Sequence, residues 1–157
     1  MPADEPLSLS VSVRDLAPLR AACLDCRATQ GSDFSQSIGA GFQYVEAWLL
    51  ARGHDPREEL LLFVGAFSAA GAPPSLYTCC IQTPDGMAGD SVGVEIRDLP
   101  GGRYAVLSMV KDPAVIGPSI GRFYQEFVPQ HDLAIDGERP TYEIYFESTM
   151  EYCVPIR

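Results

Sequence analysis

Glu143 and Tyr145 have the types and spacing that chemistry on a small molecule needs. They lie in residues 141–146 (TYEIYF), whose alternation is typical of a β-strand. The alternation puts Glu143 and Tyr145 on one face and an apolar, aromatic set on the core face, namely Tyr142, Ile144 and Phe146. A carboxylate beside aromatic rings can bind a flat lipophilic cation, or it can take a proton from water as a general base. A solvent-facing glutamate on an ordinary half-buried sheet has the same pattern and stays an alternative.

Aromatic residues elsewhere in the chain are candidate walls for a ligand site around this carboxylate. In the catalytic interpretation Glu143 is the base and Tyr145 donates a hydrogen bond to a ligand carbonyl as charge builds on it. The predicted ligand contacts are Glu143 and Tyr145 together with Phe63, Phe67, Tyr77, Tyr104, Tyr44 and Trp48. Tyr44 and Trp48 belong to a predicted helix stripe, which is more often core than ligand contact.

Composition limits the classes of partner. The chain has 157 residues with 46% hydrophobic and 20% charged content, which is typical of a globular domain. Its 11 basic and 21 acidic residues give a formal charge of −10, which disfavours direct binding to nucleic acid and favours a cationic or neutral small molecule or a basic protein. We expect no membrane span, because no window has the roughly 20 apolar residues required. The acidic start without a basic segment predicts no signal peptide, and we expect a cytoplasmic protein.

The cysteines and histidines do not form a recognisable reactive or metal site. Cys23 and Cys26 have C-x-x-C spacing, but they fall in a strand-like run where a separation of three puts them on opposite faces. Cys79 and Cys80 are adjacent in another strand pattern and should also point oppositely. We therefore expect reduced thiols, no metal and no cofactor. The sequence also has no G-x-S-x-G motif and no P-loop, which disfavours acyl or phosphoryl transfer.

The order of predicted elements is the same in both halves of the chain. In the first half we predict strands at 8–13, 19–26, 60–67 and 76–83, loops at 29–32 and 69–74, a turn at 15–18, and a helix over 33–52 with Asp33 as its cap and Gly53 as its stop. Residues 84–91 form a predicted linker. In the second half we predict strands at 92–98, 103–110, 141–146 and 152–156, and a helix over 113–130 capped by Asp112 and disturbed by Pro118.

This order indicates an internal repeat, which is also visible as sequence similarity between the two halves. Residues 12–22 (SVRDLAPLRAA) align with residues 95–105 (EIRDLPGGRYA) without a gap, and a chance recurrence of a turn and strand is the alternative. We predict an α+β fold in one domain, residues 7–157, made of two pseudo-twofold-related β-β-α-β-β repeats at about 7–84 and 91–157. The repeats would share one antiparallel sheet or abut two, with both helices on one side and a ligand cleft between the halves.

The chain resembles the GyrI-like small-molecule-binding domain, which also forms the effector-binding part of some AraC- and MerR-type regulators. The resemblance rests on the two β-β-α-β-β units, on residues 99–106 (LPGGRYAV), on residues 140–146 (PTYEIYF) and on a hydrophobic closing strand. It implies a cleft that binds lipophilic, often cationic or DNA-reactive compounds, with the motif glutamate at Glu143. Family members often carry an acid after the first-half strand, where this chain has GAFSAAGAPP at residues 65–74, so Glu143 is the clearest carboxylate of the expected cleft.

The resemblance keeps three functions open. The first is binding of such compounds for sequestration or sensing, without chemistry and without a cofactor. The second is cofactor-independent hydrolysis of strained cyclopropane-type electrophiles, which some stand-alone members perform, with Glu143 as base. The third is an acidic inhibitor or protector of DNA gyrase, or a domain read by a partner regulator.

Overall fold

Eight strands form one antiparallel sheet in the computed structural model, which describes residues 9–27, 34–67, 76–84, 87 and 93–157. The strands are β1 Ser10–Leu16, β2 Leu19–Arg27, β3 Phe63–Phe67, β4 Leu76–Gln82, β5 Glu95–Leu99, β6 Gly102–Val110, β7 Thr141–Tyr145 and β8 Thr149–Pro155. The helices are α1 Phe34–Ala51, α2 Pro113–Arg122 and α3 Val128–Gln130, with a π-helical segment, Phe123–Phe127, between the last two. The α+β class and the antiparallel pairing are as predicted, and the strands share a single sheet.

The strand order places β3 and β7 at the centre of the sheet. Across the sheet it is β1-β6-β8-β7-β3-β4-β2-β5. The outer strands cross between the halves, because β1 pairs with β6 and β2 pairs with β5. In the central pair Gly65 lies opposite Glu143, and Phe63 lies opposite Tyr145. The predicted face of residues 141–146 therefore sits in the middle of the sheet.

Both long helical segments cover the same face of the sheet, at opposite ends. Helix α1 packs Val45, Trp48 and Leu49 against Ala22 of β2 and Ile81 of β4. Helix α2 and the π-helical segment pack against β6 and β8 in a separate cluster that includes Phe123, Leu107, Met150 and Val154. The helix-side residues of β3 and β7 lie between these two clusters.

Gly41 allows α1 to lie close to the sheet. A Cβ atom at this position would be 2.6 Å from the Sγ atom of Cys26 and 2.8 Å from that of Cys79. Contacts this short would force the cysteine side chains to move within a packed interior, so glycine suits this close approach. The cysteines below it come together, with their two Sγ atoms 3.4 Å apart.

The other face of the sheet carries a second apolar layer, which contains one cysteine of each predicted pair. Cys23 and Cys80 belong to this layer, whereas Cys26 and Cys79 belong to the cluster beneath α1. The predicted opposite orientations within each cysteine pair are therefore confirmed, and all five cysteines are free thiols. Tyr104 and Tyr142 also belong to the second layer.

Several predicted strand boundaries are wrong. β5 begins at Glu95 rather than at residue 92, and β8 begins at Thr149 rather than at residue 152. β1 continues to Leu16, through the expected turn, because its backbone pairs with β6 as far as Gly102. β3 begins only at Phe63, since Leu60 has a positive φ of 57° and lies 84% exposed in a turn. Phe146 does not reach the core: it follows the end of β7 and is 41% exposed.

The helix boundaries follow the predicted signals more closely. Gly53 has a φ of 83° just after the end of α1, which confirms it as the C-terminal stop. Asp112 caps α2, accepting a hydrogen bond from the backbone N–H of Ala114 at 3.0 Å. Pro118 is accommodated inside α2, and the predicted helix continues as the π-helical segment and α3. Asp33, the loops at 29–32 and 69–74, and most of the linker at 84–91 lie outside the described residues. None of the helices in the described part has the length and hydropathy to cross a bilayer.

Candidate functional site

The centre of the helix-covered face carries a carboxylate with two tyrosine hydroxyls on it. Tyr77 starts from β4, and its ring crosses over β3 to reach Glu143 on β7. This reach is available because residue 65 of β3 is glycine: a Cβ atom there would overlap the Tyr77 hydroxyl and ring carbons. Two strand spacings of about 4.8 Å are thus bridged by one side chain.

Both hydroxyls donate to the same carboxylate oxygen. Tyr77 Oη lies 3.0 Å from Glu143 Oε1, and Tyr145 Oη lies 2.7 Å from it. The two hydroxyl oxygens are themselves 2.9 Å apart. Within the described part of the chain, Glu143 Oε2 has no hydrogen-bond donor. The arrangement fixes the orientation of the carboxylate and leaves one oxygen for a ligand or a water molecule.

The two phenols remain protonated donors at neutral pH. Burial raises the pKa of Tyr77 far above its ordinary value, and the neighbouring Tyr145 and Glu143 raise it further. Burial, followed by the charge of Glu143, also raises the pKa of Tyr145. A phenolate beside a carboxylate in this environment would be strongly disfavoured, so each hydroxyl keeps its hydrogen for the carboxylate.

Aromatic rings surround this group on the α1 side. Phe42 of α1 stands edge-on to Tyr145, with ring centroids 5.7 Å apart, and lies 6.2 Å from Phe63. Phe67 is edge-on to Tyr77 at 5.0 Å. Tyr145 and Phe67 also pack against the α2 cluster, so the two helix-side cores meet at this point. We call the helix-facing residues of β3 and β7 between the helices the inter-helix strip; it consists of Phe63, Gly65, Phe67, Glu143 and Tyr145.

On the other side of Glu143 lies a second tyrosine pair. Tyr152 of β8 is directly opposite Glu143 in the sheet, and its hydroxyl lies 3.0 Å from that of Tyr124 in the π-helical segment. Burial raises the pKa of Tyr152, and the hydrogen bond with Tyr124 adds to it. Sequence reasoning missed Tyr152, Tyr124 and Phe42. Tyr124 lies in the predicted helix over 113–130, four residues after Ile120, and this spacing puts the two side chains on one face of the helix.

The structure brings together five of the eight predicted site residues and separates the other three. Glu143, Tyr145, Tyr77, Phe63 and Phe67 share the helix-covered face. Tyr104 lies on the opposite face, where it stacks on Tyr142. Tyr44 is 52% exposed on α1. Trp48 packs in the α1 core beneath the guanidinium of Arg52, and its buried Nε1 has no hydrogen-bond acceptor among the described residues.

A metal-binding cluster is not formed by the residues that the structure describes. No three of their His, Cys, Asp or Glu side chains come close enough to hold an ion. The site is therefore built from one carboxylate, phenol hydroxyls and aromatic rings. These groups can bind a cation or position a water molecule by hydrogen bonds alone.

The chain thus has an eight-stranded antiparallel sheet with helices on one face and a carboxylate between them. The model of the GyrI-like small molecule binding domain matches residues 9–157, and the chain belongs to this family. Comparison with curated protein sequences finds no match.

Three solved structures show the same fold at low sequence identity. A hydrolase from Listeria innocua has a TM-score of 0.65 and 12% identity over 94% of this chain and 91% of that chain. SAV2435 bound to tetraphenylphosphonium has a TM-score of 0.59 and 12% identity over 94% of both chains. The EcmrR C-terminal domain has a TM-score of 0.64 and 8% identity over 95% of this chain and 98% of that chain.

Proposed function

We propose that the chain binds lipophilic cations on the inter-helix strip, with the Glu143 carboxylate as the counter-charge. The observation that carries this proposal is the hydrogen bonding of the carboxylate: Tyr77 and Tyr145 both donate to Oε1, and no described residue donates to Oε2. In its ionised form a carboxylate held in this way offers a ligand a negative charge and a second acceptor oxygen. An anionic ligand would meet repulsion at the same place.

The surrounding rings favour a cation that is also apolar. Phe42, Phe63 and Tyr145 contribute ring faces and edges within contact of one another beside the carboxylate. A cation near an aromatic face gains about 0.5–2 kcal/mol, and its attraction to a carboxylate increases as water is excluded. The formal charge of −10 adds a long-range attraction for cations of any shape.

The strand order supports a pseudo-twofold relation between the two halves as part of this proposal. Exchanging β1 with β5, β2 with β6, β3 with β7 and β4 with β8 reproduces the observed order when the sheet is read from its other edge. The axis would pass between β3 and β7, where Gly65 faces Glu143. Such an axis would put the ligand at the junction of the repeats, with one helix on each side.

Calorimetric titration with tetraphenylphosphonium tests the proposal. SAV2435 was solved with this cation, which supports its choice as the probe. We expect the wild-type chain to bind it and Glu143→Gln to lose about tenfold or more in affinity, because a partly buried charge partner contributes roughly 1.5–3 kcal/mol.

Glu147→Gln is the matched control, since it removes the same charge from an exposed acid just beyond β7. The control should bind as the wild type does, within about twofold. Equal losses in both variants would show that the overall charge attracts the cation, and a wild-type chain that does not bind would refute the proposal.

The Oε2 atom, to which no described residue donates, also favours a second candidate, the hydrolysis of a strained cyclopropane conjugated to a carbonyl. Water would donate a proton to Glu143 Oε2 while its oxygen bonds to a ring carbon, and the electron pair of the broken ring bond would pass into the ligand carbonyl to give an enolate. The proton would then pass from Glu143 to this enolate, which releases the neutral alcohol and restores the carboxylate. The similar Listeria innocua protein is a hydrolase, which supports this candidate.

Product analysis separates this candidate from simple binding. Incubation of such a compound with the wild-type chain should give the ring-opened alcohol carrying ¹⁸O when the reaction is run in labelled water. Glu143→Gln should abolish the product, and Glu147→Gln should not. Recovery of unchanged compound from a wild-type chain that binds it would eliminate hydrolysis and leave the binding function intact.

A further inference from the structure

We infer that Tyr124 is a specificity-determining residue, an aromatic wall that contacts the outer groups of bulky cations bound at Glu143. The inference deepens the proposed function and rests on it. It assigns a role to the π-helical segment, on the side of the inter-helix strip away from α1.

The position of Tyr124 follows from its contact with β8. Tyr152 lies directly opposite Glu143 across the β7–β8 pair and is only 8% exposed. Tyr124 reaches down to it from the helix, with the two hydroxyl oxygens 3.0 Å apart. The rings are nearly perpendicular, at 85°, with centroids 6.2 Å apart. Tyr124 is thus tethered at its hydroxyl end beside the strand next to the carboxylate.

Exposure distinguishes Tyr124 from the residues it touches. Its ring stands edge-on to Phe123 at 5.3 Å, and Phe123 is fully buried, yet Tyr124 keeps 38% of its surface exposed. A tyrosine packed on one side and open on the other presents a ring to any molecule that enters beside it. Phe42 supplies a comparable ring from α1, 5.7 Å from Tyr145. A bulky cation at Glu143 would have one helix-borne aromatic wall on each side.

The π-helical geometry gives this placement a structural cause. The segment Phe123–Phe127 has five residues with the wider π-type turn, inside an otherwise α-helical stretch. A π-type turn adds a residue to the helix and changes which side chains face the sheet. Such turns are frequent at functional sites, and here the turn contains the residue that reaches Tyr152.

If Tyr124 had a purely structural role, we would expect a different result from two variants at this position. In that role its hydroxyl only satisfies the buried hydroxyl of Tyr152, and its removal changes stability without changing ligand preference. Tyr124→Phe removes the hydroxyl and keeps the ring, whereas Tyr124→Ala removes both. We therefore measure the selectivity between a large and a small cation, because a purely structural role predicts that this selectivity is unchanged.

The experiment compares the dissociation constants of tetraphenylphosphonium and benzyltrimethylammonium by calorimetry. For Tyr124→Ala we expect the affinity for tetraphenylphosphonium to fall about fivefold, while that for benzyltrimethylammonium changes less than twofold, because only the large cation reaches the wall. Tyr124→Phe and Tyr124→Trp should keep the wild-type ratio of the two constants within about twofold. Tyr44→Ala, which removes an exposed tyrosine of α1, is the control and should change neither constant.

The outcomes separate this inference from the proposed function. If the wild-type chain binds neither cation, or Glu143→Gln changes neither constant, the proposed function fails. If Glu143→Gln weakens both cations but Tyr124→Ala shifts both constants equally or not at all, the cation site stands and Tyr124 is not its wall. If Tyr124→Phe alters the ratio as much as Tyr124→Ala does, the hydroxyl rather than the ring is responsible, and the inference is overturned.

Discussion

Two tyrosine pairs occupy opposite faces of the sheet, and their hydroxyls end on different kinds of acceptor. On the face away from the helices, Tyr104 and Tyr142 stack with centroids 5.5 Å apart. Tyr104 donates to the backbone carbonyl of Pro140 at 2.9 Å, and Tyr142 donates to that of Pro100 at 2.7 Å. On the helix-covered face, Tyr77 and Tyr145 donate to the Glu143 side chain instead.

The difference in acceptor separates a structural cluster from a candidate site. A proline carbonyl is a neutral acceptor that the backbone supplies in any case, and a buried tyrosine that satisfies it adds stability by fixing a turn to the sheet. A half-buried carboxylate is stabilised by its hydrogen-bond donors, and Glu143 has a second oxygen to which no described residue donates. Both pairs consist of tyrosines, and both have at least one fully buried ring. They differ in the chemistry that remains available to a ligand.

The largest predicted effect concerns Gly65, which only the helix-side pair requires. In Gly65→Ala the new Cβ atom would overlap Tyr77, so the Tyr77 ring must leave its place over β3. We expect the free energy of unfolding to fall by about 3 kcal/mol and cation binding to be lost, because overpacking and a displaced buried ring act together. Urea denaturation and calorimetry measure the two effects.

Gly39→Ala is the control for this substitution, since a Cβ atom at residue 39 of α1 meets nothing within 4 Å. In an exposed helix position alanine should be neutral or stabilise by up to about 1 kcal/mol. Wild-type stability and cation affinity in Gly65→Ala would show that Tyr77 does not depend on the glycine, and the comparison between the pairs would lose its structural basis.

The second prediction is a property that the two pairs share, the loss of stability in alkali. Burial raises the pKa of all four tyrosines above the unfolded value of about 10. Their stabilising contribution is complete below about pH 10 and is lost as the pH rises further, because the unfolded chain then ionises first. Each tyrosine can contribute a slope of up to about 1.4 kcal/mol per pH unit.

Double variants measure how much each tyrosine pair contributes to the loss of stability at high pH. One double variant is Tyr77→Phe with Tyr145→Phe, and the other is Tyr104→Phe with Tyr142→Phe. Each should reduce the slope of unfolding free energy against pH by up to about 2.8 kcal/mol per pH unit, which corresponds to two protons. Urea titrations between pH 9.5 and 11.5 give the slopes. The buried Cys153 thiol adds a background that all variants share, since burial raises its pKa to about 12. Unchanged slopes in both double variants would contradict burial as the common cause.

Local alternation was sufficient to find part of this site. It correctly put Glu143 and Tyr145 on the face opposite Tyr142, since that relation is internal to one strand. The contact from Tyr77 could not be predicted in this way, because it requires β3 to lie between β4 and β7 with glycine at the crossing. Tyr104 was predicted as a ligand contact, but it lies on the other face of the sheet. The sequence does not show which residues of distant strands share a face, and a register shift of one residue would exchange the two faces.

The smallest predicted effects come from deleting one tyrosine hydroxyl on each face of the sheet. The two deletions should lower the free energy of unfolding by similar amounts, but only the deletion on the helix-covered face should change cation affinity. Tyr142→Phe leaves the Pro100 carbonyl without its donor and should cost about 1 kcal/mol, with cation affinity unchanged because the residue lies on the far face. Tyr145→Phe should cost a similar amount but also shift cation affinity by about threefold or more, since Glu143 Oε1 then keeps only the Tyr77 hydroxyl and the carboxylate is less firmly oriented. Chemical denaturation and calorimetry on the same samples measure both quantities. Equal effects of the two deletions on cation affinity would mean that the acceptor of a hydroxyl does not mark the functional face of this sheet.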